Sequence, residues 1–478
     1  MPTMPTAADL LPLLPVLVLT GVAFLVLMLD LVMPAPRRVW LHGLSVLGLI
    51  VVAWMSAAGT GGGGTVLNGM FVRDAASDLL MATTAGISAL ALLYAWPGLR
   101  AENLYRGEVP ALVLFATTGM LLLVSAGSLV MVYLGLELLA LCQYALVALD
   151  RDNPRSTEAG MKYFVLGSLA SGLLLYGLSL LYGATGSLDI ARIAEVIQSG
   201  ATPMLMAGMV FVLAGIAFKF GAAPFHMWLP DVYQGAPTAI TLFIGSAPKL
   251  AAVGMAWRLL GDALGGLAVE WQWLLAWLAV LSLAVGNLLA LMQGNLKRML
   301  AYSTISHVGF LFIGMAGGGG EGFAAAGFYA LAYALMSAAA FGAIIVLSRK
   351  GFEAERLDDL KGLNTRDPWL AGMVLCVMAS LAGVPPFLGF WAKLVVLRAA
   401  LHGQLLWLAI VGVVFAVIGA FYYLRVIKLM YFDAADGDAP APSAGRGLRL
   451  VFGVNALGLL ALGIVWNPLF AWCVGAFG

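Results

Sequence analysis

Nearly the whole chain divides into apolar runs long enough to cross a bilayer, which leaves few folds open. A helix needs roughly 20 apolar residues to span the hydrocarbon core. Such runs fall at 10–33, 41–59, 75–96, 109–126, 128–149, 160–183, 203–234, 237–259, 271–292, 298–316, 323–347, 369–400, 405–430 and 450–473. Lipid offers no hydrogen bonds, so a segment of this length pairs its own backbone as a helix. The expected fold class is an all-α membrane protein of about 14 transmembrane helices. Charged residues make up 10% of the chain, against roughly 25% in a soluble domain. The connections at 61–64, 317–320 and 436–442 are short and rich in Gly, Pro or charge, so no soluble domain fits between spans. Residues 187–199 read as a short amphipathic surface helix.

The distribution of basic residues tests the span count. With 14 spans, 17 of the 25 Lys and Arg residues fall on one side, from Arg37 and Arg38 through Lys297, Arg298, Arg349, Lys350 and Lys361 to Arg446 and Arg449. Only Arg73, Arg192, Arg258 and Arg398 fall on the other. The positive-inside rule makes the first side cytoplasmic, with both termini outside. Met1 to Leu14 contains no Lys or Arg. A cleavable signal needs a basic leading region, so residues 11–32 read as a retained first span.

The remaining cations lie within spans: Lys162, Lys219, Lys249 and Lys393. Glu137 is the one deep carboxylate. A charge at the bilayer centre costs about 2.5–3.5 kcal/mol on insertion scales, so such residues face the bundle interior and mark ion paths. The plainer reading is a structural ion pair or, for Lys162 near a helix end, a snorkelling side chain. The excess of lysine over carboxylate argues against pairing alone. Lysine also titrates readily when buried, whereas arginine stays charged. Burial disfavours a lysine's charged form and a nearby carboxylate restores it, so a moving acid would load or release a proton. His226 and His307 are further candidate relays, or else hydrogen-bonded packing residues. Tyr302, Ser303, Thr304 and Ser306 precede His307 and could hold water or bond the helix backbone.

Cys142, Cys376 and Cys473 are scattered and no two histidines share a helix at i, i+4 spacing, so zinc, haem and iron–sulfur sites lack obvious ligands. No metal or bound cofactor is expected in this chain.

Spans 203–234 and 369–400 are too long for one straight crossing, and each contains a proline break: Pro224 in the first, Pro385 and Pro386 in the second. Each is the fourth member of a five-span unit. Five is odd, so the second unit runs opposite to the first, as in transporters built from inverted repeats. The expected organisation is 1–107 (three N-terminal helices), 108–262 (first repeat, helices 4–8), 263–433 (second repeat, helices 9–13) and 434–478 (loop and helix 14). Ala223-Pro224-Phe225-His-Met-Trp228 and Pro385-Pro386-Phe387-Leu-Gly-Phe-Trp391 agree weakly across the two units.

Two long strings carry a family resemblance. Lys219-Phe-Gly-Ala-Ala-Pro-Phe-His-Met-Trp-Leu-Pro-Asp-Val-Tyr-Gln-Gly-Ala-Pro-Thr238 and Asn295-Leu-Lys-Arg-Met-Leu-Ala-Tyr-Ser-Thr-Ile-Ser-His-Val-Gly-Phe310 resemble the antiporter-like membrane subunits of proton-pumping NADH:quinone oxidoreductase (complex I) and of multi-subunit cation/proton antiporters. Within that family, Lys162-Tyr-Phe-Val-Leu-Gly-Ser-Leu-Ala-Ser-Gly172 and Tyr176-Gly-Leu-Ser-Leu-Leu-Tyr-Gly-Ala-Thr-Gly186 are similar to the N branch rather than L or M. Leu381-Ala-Gly-Val-Pro-Pro-Phe-Leu-Gly-Phe-Trp-Ala-Lys393 agrees, since the M branch has glutamate where Lys393 stands.

The resemblance implies a role for each matched position. Glu137 and Lys219 would be the coupling ion pair of a first half-channel. Lys249 would be the connecting lysine, Lys393 the lysine of a second half-channel, and Lys162 an auxiliary relay. Any relay through span 323–347 would use water, Tyr329, Tyr333 or Ser337. The resemblance places NADH, FMN, iron–sulfur clusters and quinone in or near partner subunits, with antiporter-like subunit M and small subunit K among the neighbours in a bacterial plasma (inner) membrane. The alternatives are a cation/proton antiporter subunit and a scaffold that conducts nothing.

Overall fold

The computed structural model describes residues 8–34, 37–198, 200–349, 351–434 and 444–478. Lys350, Ser199 and the connection at 436–442 lie outside the described residues. Helices α1 (Leu14–Val32) and α2 (Arg38–Ala57) precede a small antiparallel hairpin, β1 (Gly64–Val66) and β2 (Phe71–Arg73), in which Gly64 pairs with Arg73. Helices α3 (Ala75–Ala101), α4 (Glu108–Val124), α5 (Leu129–Val147) and α6 (Pro154–Thr185) follow, then the short α7 (Ile190–Ile197). The chain continues through α8 (Pro203–Phe220), α9 (Trp228–Gly235), α10 (Thr238–Gly245) and α11 (Ala247–Ala256), the last running into a π-helical turn at Trp257–Ala263. Helices α12 (Ala268–Leu291), α13 (Leu296–Ala316) and α14 (Gly319–Leu347) lead to the short α15 (Leu363–Arg366). Helices α16 (Pro368–Ala382), α17 (Leu388–His402), α18 (Leu406–Tyr431), α19 (Arg446–Ile464) and α20 (Asn467–Phe477) complete the chain.

Twelve helical segments among the described residues are long and apolar enough to cross a membrane, and Glu108–Val124, Pro368–Ala382 and Asn467–Phe477 are shorter apolar helices. Burial sorts them into an inner and an outer set. Helices α10, α11, α13 and α14 are sheathed by protein almost throughout, whereas α6 and α18 turn large apolar side chains such as Phe164, Leu169, Val417 and Phe421 outward. Hydrocarbon side chains facing away from the bundle suit a lipid solvent. Close approach of helices depends on small residues. A Cβ on Gly119 of α4 would lie 2.7 Å from the Leu139 backbone nitrogen of α5, so glycine sets that spacing.

Helix ends are capped locally, as a low-dielectric surrounding demands. Asp74, Ser128, Asp189, Thr202 and Asn295 each accept a hydrogen bond from a first-turn backbone N–H through their side chains. The surface helix expected at 187–199 forms as α7, with Ile190, Ile193 and Ile197 buried on one face.

Both long spans are broken. Helix α8 stops at Phe220 on Gly221 in the left-handed conformation (φ 77°), and the chain resumes as α9 at Trp228. Helix α16 stops at Ala382 on Gly383 (φ 85°) and resumes as α17 at Leu388. Glycine tolerates this conformation without a Cβ clash. The Ala223–Pro224 and Pro385–Pro386 peptide bonds are cis.

Two further breaks interrupt spans expected to be continuous. Span 237–259 divides at Ser246 (φ −115°, ψ −86°), after which Pro248 opens α11. Span 450–473 divides between α19 and α20, where Pro468 occupies the first turn. Proline lacks the N–H that a helix interior needs but suits a first turn, so each begins a new helix.

Candidate functional site

Helix breaks leave backbone carbonyls without partners, and buried lysines supply the missing donors. Lys249, 1% exposed on α11, donates to the Phe220 carbonyl at 2.6 Å, at the end of α8. Its ammonium lies 5.8 Å from the Trp228 ring centroid. Trp228 Nε1 donates to Phe218 O of the same last turn at 3.1 Å, and the Ser282 hydroxyl accepts from the Ala223 N–H at 3.0 Å. Lys393, 8% exposed on α17, donates to Leu381 O at 3.1 Å and Ala382 O at 2.8 Å, at the end of α16. It lies 5.4 Å from the Phe310 ring centroid. A cation at a helix C-terminus is electrostatically favoured, so each cut end holds an ammonium in the bundle.

Lys219 sits in the last turn of α8 and donates to Gln143 Oε1 at 3.3 Å. The same amide oxygen accepts from the Tyr163 hydroxyl at 2.9 Å. Among the described residues no ion pair within 4.0 Å joins Lys219 to Glu137. One Glu137 carboxylate oxygen is buried with no hydrogen-bond partner among the described residues. Beside Lys219, a cavity of about 20 Å³ opens between Tyr144, Gly167 and Trp228, large enough for one water. Among the described residues the expected acid and amine thus make no direct bond, and Gln143, which the sequence did not single out, is the side chain that Lys219 bonds. A glutamine inside a membrane span merits the scrutiny given to the lysines.

Lys162 lies apart from this interior set, with 44% of its side chain exposed. It pairs with Glu158 and Asp231, both at 2.8 Å, and Asp231 also meets Arg298 at 2.9 Å. Helix α6 is thereby tied to α9 and α13 through one carboxylate.

His307, on the buried α13, has both ring nitrogens occupied: Nδ1 lies 2.7 Å from the Tyr329 hydroxyl and Nε2 3.0 Å from the Tyr423 hydroxyl. Tyr423 donates to Ser303 at 2.8 Å and Tyr333 to Thr304 at 2.7 Å. Asn287 donates to Ser306 at 2.9 Å and accepts from Tyr422 at 3.2 Å. The hydroxyls of Ser303, Thr304 and Ser306 on α13 therefore bond side chains of α18, α14 and α12 respectively. Asn287 and Tyr422 were not anticipated. His226 lies in the first break, its Nδ1 buried with no hydrogen-bond partner among the described residues.

Three cations placed near helix ends by sequence are also buried. Arg258, 3% exposed, pairs with Asp74 and Asp262 at 2.8 Å and donates to Val124 O at 3.0 Å. Burial tends to lift the Asp74 carboxyl, but the Arg258 guanidinium and the Ser77 donors outweigh it and hold Asp74 below the usual carboxylate range. Arg73 pairs with Asp78 at 2.8 Å, and Lys297 with Glu353 at 3.1 Å. Among the described residues no group of three or more His, Cys, Asp or Glu is placed to hold a metal ion.

Interrupted helices whose ends are held by buried amines, joined by hydroxyl networks, define a polytopic helical membrane protein of the transporter type. Residues 126–419 match the family described as NADH:quinone oxidoreductase/Mrp antiporter, transmembrane. NADH-quinone oxidoreductase subunit N of Xanthomonas euvesicatoria pv. vesicatoria is 63% identical over 473 residues, covering 99% of this chain and 97% of that protein. The subunit N of Thioalkalivibrio sulfidiphilus is 50% identical, with 98% of each chain covered. Among solved structures, a chain of respiratory complex I from Thermus thermophilus superposes with a TM-score of 0.82 at 30% identity, over 97% of this chain and 100% of that one. A chain of the Mrp complex from Dietzia shares the fold, with a TM-score of 0.83 at 23% identity over 99% of this chain and 97% of that one. The chain belongs to this family, in its branch of N-type membrane subunits of NADH-quinone oxidoreductase.

Proposed function

We propose that this subunit conducts protons across the membrane, coupled to quinone reduction performed by partner subunits. Glu137, Lys219, Lys249 and Lys393 form the main relay, and Lys162, His307 and His226 assist it. The observation that carries this reading is the isolation of the interior amines. Among the described residues no carboxylate lies within 4.0 Å of Lys219, Lys249 or Lys393, and the two most buried of them bond to backbone carbonyls. A scaffold would neutralise such charges. Lysines left without counterions in a low dielectric are poised to lose protons and regain them.

On this reading the chain makes fourteen crossings in two inverted units, helices 4–8 and 9–13, with both termini on the outer side of a bacterial inner membrane. It performs no redox chemistry, and NADH, FMN, iron–sulfur clusters and quinone belong to partner subunits. Antiporter-like subunit M and small subunit K are its proposed neighbours.

The test is Lys219→Ala and Glu137→Ala in the assembled complex. Both variants assemble and lose proton pumping together with quinone-linked NADH oxidation. Full activity in both assembled variants contradicts the relay.

A further inference from the structure

Helices α1 and α2 present matching outward faces. On α2, Trp40, Leu47, Val51 and Trp54 recur at i, i+7, i+11 and i+14, and each is exposed. On α1, Leu17, Phe24, Met28 and Leu31 repeat that spacing and are also exposed. Residues so spaced stand on one side of a helix. The two helices pack closely, since a Cβ on Gly48 of α2 would lie 2.9 Å from Val22 Cγ1 of α1. Helix α2 has 20 residues and so advances about 30 Å, the thickness of the hydrocarbon core. Trp40 stands in its first turn and Trp54 in its last. Tryptophan collects at the two bilayer interfaces, so this face has the pattern of a lipid contact rather than of a protein interface.

The basic end of this pair holds a cluster of arginines. Arg38, in the first turn of α2, pairs with Asp30 near the end of α1 at 2.9 Å. The Asp30 carboxylate lies against Gly107, where it leaves no room for a Cβ. Tyr105 and Arg106 precede Gly107 in the connection from α3 to α4. The Tyr105 hydroxyl lies 3.2 Å from His42 Nδ1 of α2, and the Tyr105 ring packs edge-on against Trp96 of α3 at 4.5 Å between centroids. The Arg100 guanidinium lies over the Trp96 ring, 5.5 Å from its centroid. These contacts, with Arg37 next to Arg38 in the chain, bring Arg37, Arg38, Arg100 and Arg106 to one corner. Asp30 and Glu108 are the acids beside them, so arginine is in excess. Arg37, Arg100 and Arg106 are exposed, and among the described residues none of the three has a carboxylate within 4.0 Å. Elsewhere at this end Arg155, Lys297, Arg298 and Arg449 each pair with an acid.

We propose that this corner binds an anionic phospholipid, its phosphate held by Arg37, Arg100 and Arg106 and its acyl chains laid along the outward faces of α1 and α2. Guanidinium groups grip phosphate through paired N–H donors, and basic clusters at a membrane surface attract anionic lipid. A zwitterionic headgroup would leave the excess charge unmatched. Trp40 stands where headgroup meets chain. The site is independent of the proton relay and anchors the three N-terminal helices in the bilayer.

The test uses the intact complex. A cryo-EM map of complex extracted with its native lipids shows phosphate density against Arg37, Arg100 and Arg106, continuous with acyl chains along α1 and α2. A partner subunit seated on this face, an empty corner, or headgroup density without chains, which is a free ion, overturns the proposal. Native mass spectrometry gives a second readout. The combined variant Arg37→Gln, Arg100→Gln and Arg106→Gln loses an anionic phospholipid that the wild-type complex retains. Arg151→Gln, which removes an exposed arginine from the α5–α6 connection, keeps it. Equal anionic lipid in the wild type and the combined variant overturns the proposal, and so does an equal loss in Arg151→Gln. If the combined variant does not assemble, the wild-type map decides.

Discussion

The Lys249 ammonium lies 2.6 Å from the carbonyl oxygen of Phe220, so the first broken helix ends on a cation carried by another helix of the same bundle. Lys393 does the same for Ala382 at 2.8 Å in the second. Each amine stabilises a cut helix end and is also a titratable group in the protein interior. The two roles oppose each other: a deprotonated amine donates more weakly to the carbonyl, so proton release loosens the break. Lys249→Met keeps side-chain bulk and removes the donor. The Phe220 carbonyl then stays buried and unbonded, at a cost of about 1–3 kcal/mol. Thermal unfolding of the purified complex should report a lower midpoint for this subunit.

Gln143 joins Lys219 to Tyr163 through a single amide oxygen. Gln143→Glu converts that contact into a direct ion pair, which favours the charged lysine. The variant assembles, but Lys219 holds its proton more tightly and turnover slows. Gln143→Leu removes the bridge and also lowers pumping. NADH-driven proton uptake in inverted membrane vesicles checks both, and unchanged rates in the two variants would remove Gln143 from the relay.

Much of this arrangement was legible before any coordinates. The apolar runs specify the helical class because lipid leaves the backbone no other partner. The excess length of spans 203–234 and 369–400 marks both broken helices, and the glycines that end α8 and α16 stand three residues before Pro224 and Pro386. The breaks at Ser246 and before Asn467 were not expected, since those spans have ordinary lengths and a proline that starts a helix looks the same in sequence as one that kinks it. Gln143, Asn287 and Tyr422 escaped notice because uncharged polar residues in a span are common and their partners are distant in sequence: Tyr422 meets Asn287 135 positions away. The burial of Lys297 and Arg258 was equally hidden. A cation near a helix end looks solvated until the carboxylates of Glu353, Asp74 and Asp262 fold against it.

His307 has a tyrosine hydroxyl on each ring nitrogen. Tyr329→Phe and Tyr423→Phe each leave one nitrogen buried without its partner, at a cost of about 1–3 kcal/mol. Each lowers the thermal midpoint of the assembled complex, and the double variant lowers it less than the sum of the two because the sites share one ring. Strict additivity would show that the histidine does not link them.

Asp74 supplies the pH prediction. Its carboxyl is held below its ordinary value of 3.8, mainly by Arg258 acting against burial. A depressed carboxyl contributes stability that is fully present above the unfolded value and is lost as pH falls through the lower folded value. The complex should therefore lose stability below about pH 3.8. Asp74→Asn lowers stability at neutral pH and flattens the acid limb. Midpoints measured as a function of pH for both proteins check the sign, and identical profiles would remove Asp74 from the acid response.

The central claim is that the interior lysines change protonation during turnover, and Lys249→Arg addresses it most directly. Arginine can still donate to the Phe220 carbonyl and keeps the positive charge, but it does not release a proton in proteins. The measurement is proton translocation coupled to NADH oxidation in inverted vesicles containing the assembled Lys249→Arg complex. The account predicts normal assembly with pumping and quinone-linked oxidation both lost. Wild-type pumping by that variant would mean a fixed cation suffices at this position, which contradicts the relay.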